Sequence, residues 1–166
     1  MKHGAIVIVA ENGNEAEAPH DRAYSMIRSL IGENCVIGKT ELGAPFLEGD
    51  GRFVSVSHSS SITACALSDV PVGIDTEPCG RKIPPAVVEK ITATADSDPV
   101  IGWTMTESSL KLFGHGLDRI RNCDEFVRSS VHKVRMINGN VITVATKKSD
   151  GPVTVLFVTA PKEKSE

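Results

Sequence analysis

Two acidic residues spaced two apart follow an apolar run and stand directly before the breakers Pro78 and Gly80. They are Asp75 and Glu77, in the hexapeptide V-G-I-D-T-E at residues 72–77. Because side chains two apart on a strand project to the same face, both carboxylates would point the same way. A hard divalent cation such as Mg²⁺ relieves the repulsion between two such groups. The pattern is also typical of a strand that runs into a polar turn, and taken alone it favours that simpler interpretation.

A second polar stripe is predicted on a helix at residues 100–113. Trp103, Glu107 and Lys111 are spaced by four residues and therefore lie along one face of that helix. A glutamate four residues before a lysine is also an ordinary surface pair, worth roughly 0.2–0.5 kcal/mol. The two serines at 108–109 are small and polar, and they allow a neighbouring strand or a ligand to approach closely.

His58 follows a predicted strand and stands between serines. A single histidine in such a place is most often a hydrogen-bonded turn residue. A serine-hydrolase triad is excluded, because no acid near His58 in the sequence completes one and no G-x-S-x-G elbow exists. A phosphate contact from His58, Ser57 and the backbone amides beside them is the functional alternative.

The composition argues against several classes of function. Aromatic residues make up 4% of the 166 residues and the net charge is −3, so neither a base-stacking surface nor a general attraction to nucleic acid or anionic membranes is expected. The four cysteines are scattered without a C-x-x-C pair, which argues against a structural zinc site. The first apolar run is too short for a signal peptide or a membrane span, and we expect a cytoplasmic protein.

The periodicities predict strands and helices in mixed order. We expect helices at 21–31, 86–91 and 100–113, and strands at 4–10, 53–57, 62–67, 72–77, 131–137, 141–146 and 153–159. The three strands between residues 53 and 77 are separated by polar turns and predict a meander. Asn138-Gly139 predicts a hairpin turn. We expect a loop at 11–19, a basic, proline-containing link at 81–85 and a frayed tail at 162–166.

Five segments of the chain occur together in a known order. They are G-A-P-F at 43–46, F-V-S-V-S-H-S at 53–59, V-G-I-D-T-E at 72–77, W-T-M-T-E-S-S-L-K at 103–111 and G-H-G-L at 114–117. This order resembles the 4'-phosphopantetheinyl transferase superfamily, in the branch that is built as an internal pseudo-dimer. The pair G-I-D-x-E and W-x-x-x-E-S-x-x-K carries the resemblance, because either motif alone would be weak.

The resemblance implies a holo-[acyl-carrier-protein] synthase-type enzyme that transfers 4'-phosphopantetheine from coenzyme A to a serine of an apo acyl or peptidyl carrier protein. The matching positions make Asp75, Glu77 and Glu107 the ligands of Mg²⁺ on the coenzyme A pyrophosphate. Lys111 would contact the phosphates, and His58, with Ser57 beside it, would contact the nucleotide's phosphate. Glu107 and Lys111 would be the catalytic residues, with Glu107, directly or through a metal-bound water, as the candidate base for the carrier serine.

The chain departs from the family's pattern at two positions where a lysine is usual. Thr106 precedes the helix glutamate, and Ala44 replaces the lysine of G-K-P. Each charge-assisted phosphate contact contributes about 1.5–3 kcal/mol, so two missing cations would weaken the binding of coenzyme A. The departures motivate an alternative function, a non-catalytic relative that binds a carrier protein or coenzyme A. A third hypothesis is a structural domain whose acids are only solvated.

The resemblance also implies the fold. We expect an α+β protein of two similar halves, each with a small antiparallel sheet and a packed helix. The N-terminal half is predicted at 1–79 and the C-terminal half at 80–166, and together they would form one compact unit. Because so short a chain exposes sheet edges, the sequence is compatible with a monomer and with a homodimer.

Overall fold

The computed structural model describes residues 3–12, 19–94 and 97–160. The described part contains the strands β1 (His3–Glu11), β2 (Ile37–Lys39), β3 (Pro45–Leu47), β4 (Phe53–His58), β5 (Ile62–Ser68), β6 (Val72–Pro78), β7 (Ser130–Ile137), β8 (Asn140–Lys147) and β9 (Val153–Thr159). It also contains the helices α1 (Pro19–Ile31), α2 (Pro85–Val88), α3 (Pro99–Leu112) and α4 (Cys123–Arg128). The chain is therefore a mixture of helices and small sheets, as the α+β prediction requires.

Most predicted elements are present with small shifts at their ends, and the helix predicted at 86–91 is the main exception. It is reduced to the single turn of α2, which starts at two consecutive prolines and gives way to a 3₁₀ turn at Thr92–Thr94. Threonines favour such turns, because their hydroxyls bond nearby backbone groups: that of Thr94 donates to the carbonyl of Ile91. The predicted tail at 162–166 and the greater part of the predicted loop at 11–19 lie outside the described residues.

The larger sheet has the strand order β4-β5-β1-β9. Strand β5 pairs antiparallel with β4 on one side and with β1 on the other, while β1 pairs in parallel with β9. The meander predicted for residues 53–77 is therefore wrong in its third strand. Both edges of β5 are already occupied, so β6 cannot join it and crosses into a second sheet.

That second sheet has the order β6-β8-β7 and is antiparallel throughout. Its β7–β8 hairpin confirms the predicted turn: Asn138 and Gly139 have positive φ angles of 49° and 72°, the geometry of a two-residue hairpin turn. A small β2–β3 ladder completes the sheets of the described residues.

The two larger sheets pack face to face around the main core. Val7, Val9 and Ile62 of the first sheet meet Ile74 and Val144 of the second. A second core, which includes Ile8, Met26 and Ile27, packs α1 on the far face of the first sheet, while α3 covers the far face of the second. The order of layers is thus helix, sheet, sheet, helix.

Each larger sheet contains strands from both predicted segments of the chain. Strand β6 lies before residue 79 and pairs with β8, and β9 lies after it and pairs with β1. The pairing of β1 with β9 is also parallel, so the larger sheet is not purely antiparallel. The division into halves at 1–79 and 80–166 stays a prediction.

Candidate metal centre

Strand β6 carries the two acids on the face that α3 covers. Val72, Ile74 and Thr76 turn toward the first sheet, so the alternate residues Asp75 and Glu77 turn toward the helix. Both acids are buried, with 2% and 9% of their surface exposed. The strand does run into a turn at residues 79–80, but its two acids are buried rather than solvated.

Helix α3 approaches β6 very closely because the strand has glycine at the crossing. A Cβ atom on Gly73 would overlap the carbonyl oxygen of Ser108 and lie 2.6 Å from the amide nitrogen of Leu112. Ser108 is itself fully buried, and its hydroxyl donates to the carbonyl of Met105. The small residues on both elements let the helix bring Glu107 over the strand acids, which confirms the close approach expected of the serines at 108–109.

The three carboxylates converge. One oxygen each from Asp75, Glu77 and Glu107 lie within 4.8 Å of one another. Oδ2 of Asp75 is buried and has no hydrogen-bond partner among the described residues. A buried carboxylate oxygen without a partner is costly, and a hard cation with oxygen ligands would satisfy it. The donor set and this orphaned atom therefore fit a divalent ion such as Mg²⁺.

The crowding of acids changes the titration of Glu107. Burial, followed by the charge of Asp75, raises the pKa of Glu107 to about 8, and the Lys111 ammonium opposes the rise. A bound cation would lower this pKa and so favour the charged form of Glu107.

Lys111 is the cation that faces Asp75. Its Nζ donates to Oδ1 of Asp75 at 2.9 Å and to the carbonyl oxygen of Ile74 at 3.0 Å. The side chain is one-third exposed, so its ammonium is also accessible from the cavity that it borders. The stripe predicted on the helix thus faces the acids rather than bulk solvent.

Ser57 and its neighbour Ser55 connect the two sheets at this edge. The Ser55 hydroxyl accepts from the amide of Ile74, and the Ser57 hydroxyl accepts from the amide of Thr76. Ser57 in turn donates to Oδ1 of Asp75 at 3.0 Å. The hydroxyls of Ser55 and Ser57 therefore accept hydrogen bonds from backbone N–H groups at the free edge of β6, and Ser57 also orients Asp75. Sequence reasoning missed this role.

Glu77 has a separate support that sequence reasoning also missed. Arg81 forms an ion pair with Oε1 of Glu77, and the indole N–H of Trp103 donates to the same oxygen at 3.3 Å. The guanidinium carbon of Arg81 lies 5.9 Å from the centre of the Trp103 ring. The spacing of four residues between Glu77 and Arg81 was visible in the sequence, but the intervening Pro78 and Gly80 argue against a helix.

Two neighbouring cavities meet at Glu107 and Lys111. The first, of about 230 Å³, lies over the acids and is lined in part by Ser57, His58, Asp75, Glu77, Glu107 and Lys111. The second, of about 360 Å³, is mainly apolar and lies between residues 42–45, the strand β4 and the segment 114–117. The structure thus brings together every predicted site residue. His58 is exposed at the first cavity. Its phosphate contact, like that of Ser57, stays a prediction.

The two departures from the family pattern occupy very different places. Thr106 is fully buried, and its hydroxyl donates to the carbonyl of Gly102 four residues earlier in α3. It borders neither of the cavities at Glu107. Ala44 is exposed and lines the second cavity. Of the two departures, only Ala44 lines a cavity of the site, and the effect of either on coenzyme A binding stays a prediction.

Part of the chain is similar in sequence to a known protein. No protein-family model matches the chain. Within the part that the structure describes, no helix is both long and apolar enough to cross a membrane. In an alignment 104 residues long, which covers 55% of its length, the chain is 31% identical to the 4'-phosphopantetheinyl transferase gsp of Aneurinibacillus migulanus. The chain spans 43% of the length of that relative. It is thus similar to a 4'-phosphopantetheinyl transferase over part of each protein.

Proposed function

We propose that this protein is a Mg²⁺-dependent 4'-phosphopantetheinyl transferase that modifies a serine of an acyl or peptidyl carrier protein. The observation that carries the proposal is the convergence of Asp75, Glu77 and Glu107 beside Lys111 in one cavity. The similarity to a transferase of this kind supports it. An acid cluster alone would be compatible with many metal proteins, whereas a lysine at its rim suits a substrate with phosphate groups.

Asp75, Glu77 and Glu107 would hold the ion, which when bound supplies positive charge to the pyrophosphate of coenzyme A. Lys111 supplies a second positive charge from the cavity wall. Glu107 accepts the hydroxyl proton of the carrier serine as the serine oxygen forms a bond to the phosphorus of the phosphopantetheine group. The bond from that phosphorus to the bridging oxygen breaks, and the nucleotide leaves with its remaining phosphates.

His58 and Ser57 have supporting roles in this proposal. His58 lines the same cavity, from which its imidazole can contact a phosphate of the nucleotide. Ser57 holds Asp75 by a hydrogen bond and so keeps that carboxylate aimed at the ion. The apolar cavity next to Lys111 leaves room for a part of the substrate that carries no charge.

The test is incubation of the protein with coenzyme A, Mg²⁺ and an apo carrier protein, followed by mass spectrometry of the carrier. The carrier should gain one phosphopantetheine group, and a carrier whose serine is replaced by alanine should gain none. Glu107→Gln should abolish the gain. Glu125→Gln, which changes an exposed acid outside both cavities, should leave it intact. No gain with any carrier at high protein concentration would refute the proposal.

The second candidate function is binding of coenzyme A or a carrier protein without transfer. Ala44 favours it, because the second cavity has no cation at that position. Calorimetry would then detect binding of coenzyme A or carrier while the mass of the carrier stays unchanged. A mass gain that is lost in Asp75→Ala would exclude this candidate.

A further inference from the structure

Arg81 is held in a fixed place behind Glu77. Its amide donates to the carbonyl of Pro78, and the neighbouring amide of Cys79 donates to the carbonyl of Gly139 in the β7–β8 turn. These bonds fasten the segment after β6 to the hairpin. The guanidinium then reaches Oε1 of Glu77 and lies near the Trp103 ring. Among the described residues, this ion pair is the only side-chain hydrogen bond of Arg81.

The two cations near the acids differ in what they can touch. Lys111 borders both cavities at Glu107, so a ligand there can meet its ammonium directly. Arg81 borders neither, although its side chain is 43% exposed. Arg81 therefore touches the metal centre at Glu77 and does not line the space that a ligand would fill.

We propose that Arg81 is a positioning residue of the metal centre, which together with Trp103 clamps Oε1 of Glu77 and leaves its other oxygen for the ion. This inference rests on the metal site of the proposed function. Both donors reach the same oxygen, and among the described residues no donor reaches Oε2. Hydrogen-bonded partners of this kind orient a ligating carboxylate, and their loss typically lowers metal affinity about 10- to 100-fold.

The clamp restrains a carboxylate that its two neighbours repel. Three carboxylates within 4.8 Å repel one another, and a glutamate has enough rotatable bonds to swing away from its neighbours. Asp75 is restrained by Ser57 and Lys111, whereas the side-chain hydrogen bonds of Glu77 within the described residues come from Arg81 and Trp103. Without these bonds Glu77 would adopt more conformations, and each metal-binding event would have to restrict them.

The positive charge of Arg81 has an opposite effect, since it repels a divalent ion nearby. Arg81→Lys separates the two effects, because lysine keeps the charge but lacks the planar, multi-donor guanidinium that contacts a carboxylate and stacks on a ring. If orientation dominates, this charge-matched substitution weakens metal binding. If only charge matters, it leaves the affinity unchanged, and Arg81→Ala increases it.

The experiment is a titration of the full chain with Mg²⁺ alone, followed by calorimetry and by the fluorescence of Trp103, the chain's single tryptophan. We expect Mg²⁺ to change the emission of the unaltered protein, because its indole shares Oε1 of Glu77 with Arg81. Glu77→Gln should remove that change. Arg81→Lys should weaken Mg²⁺ binding about 10- to 100-fold. Arg52→Lys, which alters an exposed arginine–aspartate pair away from the cavities, should leave binding unchanged.

Thermal unfolding of each variant checks that the fold is kept, which is expected because Arg81 is partly exposed. Trp103→Phe gives a second, independent measurement: it removes the indole donor and should also weaken Mg²⁺ binding, by calorimetry. Unchanged or tighter binding in both Arg81→Lys and Trp103→Phe would overturn the inference, as would an unaltered protein that binds no Mg²⁺. If the clamp controls Mg²⁺ affinity but no carrier is modified, the positioning role stands and the proposed transferase function fails.

Discussion

The crossing of α3 over β6 gives a sharp test of how the metal centre is assembled. In Gly73→Ala the added methyl group would meet backbone atoms of Ser108 and Leu112, which cannot rotate away as a side chain can. Real Cβ atoms are rarely closer than 3.0 Å to such atoms, so strand and helix must separate by roughly 1 Å. The whole strain falls on the contact that brings Glu107 to Asp75.

We expect Gly73→Ala to lower the free energy of unfolding by about 3 kcal/mol, the upper end of the usual cost of overpacking. Urea denaturation measures this loss. The displacement should also reduce phosphopantetheine transfer on the order of 10²-fold, since misplacement of catalytic groups by 1 Å has effects of that size. The activity is measured below the unfolding transition, so that loss of folded protein does not contribute.

The matched control is Gly4→Ala, a strand glycine around which a Cβ atom would meet nothing within 4 Å. It should be neutral or stabilise the fold by about 0.4–1 kcal/mol through the unfolded state. If Gly73→Ala behaves like this control in both stability and transfer, the close approach is not what assembles the site, and the reasoning fails.

Two further predictions concern pH, and both are checked by urea denaturation at a series of pH values. The pKa of Glu107 is raised from 4.5 to about 8 in the folded state. Folded protein therefore binds more protons than unfolded protein between these values, and the contribution of Glu107 to the unfolding free energy falls as pH rises through that window. Glu107→Gln should remove this fall. Burial lowers the pKa of His132 from 6.5 to about 4, so its contribution falls as pH decreases from 6.5 toward 4, and His132→Gln should reduce that loss. A variant with the same pH dependence as the unaltered protein would contradict the corresponding assignment.

The local elements were largely predictable because they depend on short-range patterns. The β7–β8 hairpin follows from Asn138-Gly139, whose residues tolerate positive φ, and α3 follows from its apolar spacing. The pairing of the strands was harder to predict from the sequence. A meander is the simplest connection for three successive strands, but β1 and β4 occupy both edges of β5, and this depends on residues more than fifty positions away.

The candidate site shows the same division. Asp75 and Glu77 were recognisable as same-face acids, and Glu107 and Lys111 as a helix stripe. Each motif taken alone nevertheless favoured the simpler interpretation, a strand running into a polar turn or a surface ion pair. Arg81 was grouped with a basic link, although the structure pairs it with Glu77. Thr106 was interpreted as a missing phosphate contact, although its side chain points into the protein.

The sequence by itself determined which groups are available and which of them share a face of one element, because the periods of strand and helix are properties of the backbone. It thereby specified two carboxylates on β6 and a glutamate and a lysine on α3. Only the tertiary structure decided that these faces meet. The meeting depends on Gly73 and Ser108 at the crossing. It buries Glu107, which raises the pKa of that carboxyl, and it leaves Arg81 paired with Glu77. Distances and burial arise from packing between elements far apart in the chain, and packing is what turns three separate acids into one candidate metal centre.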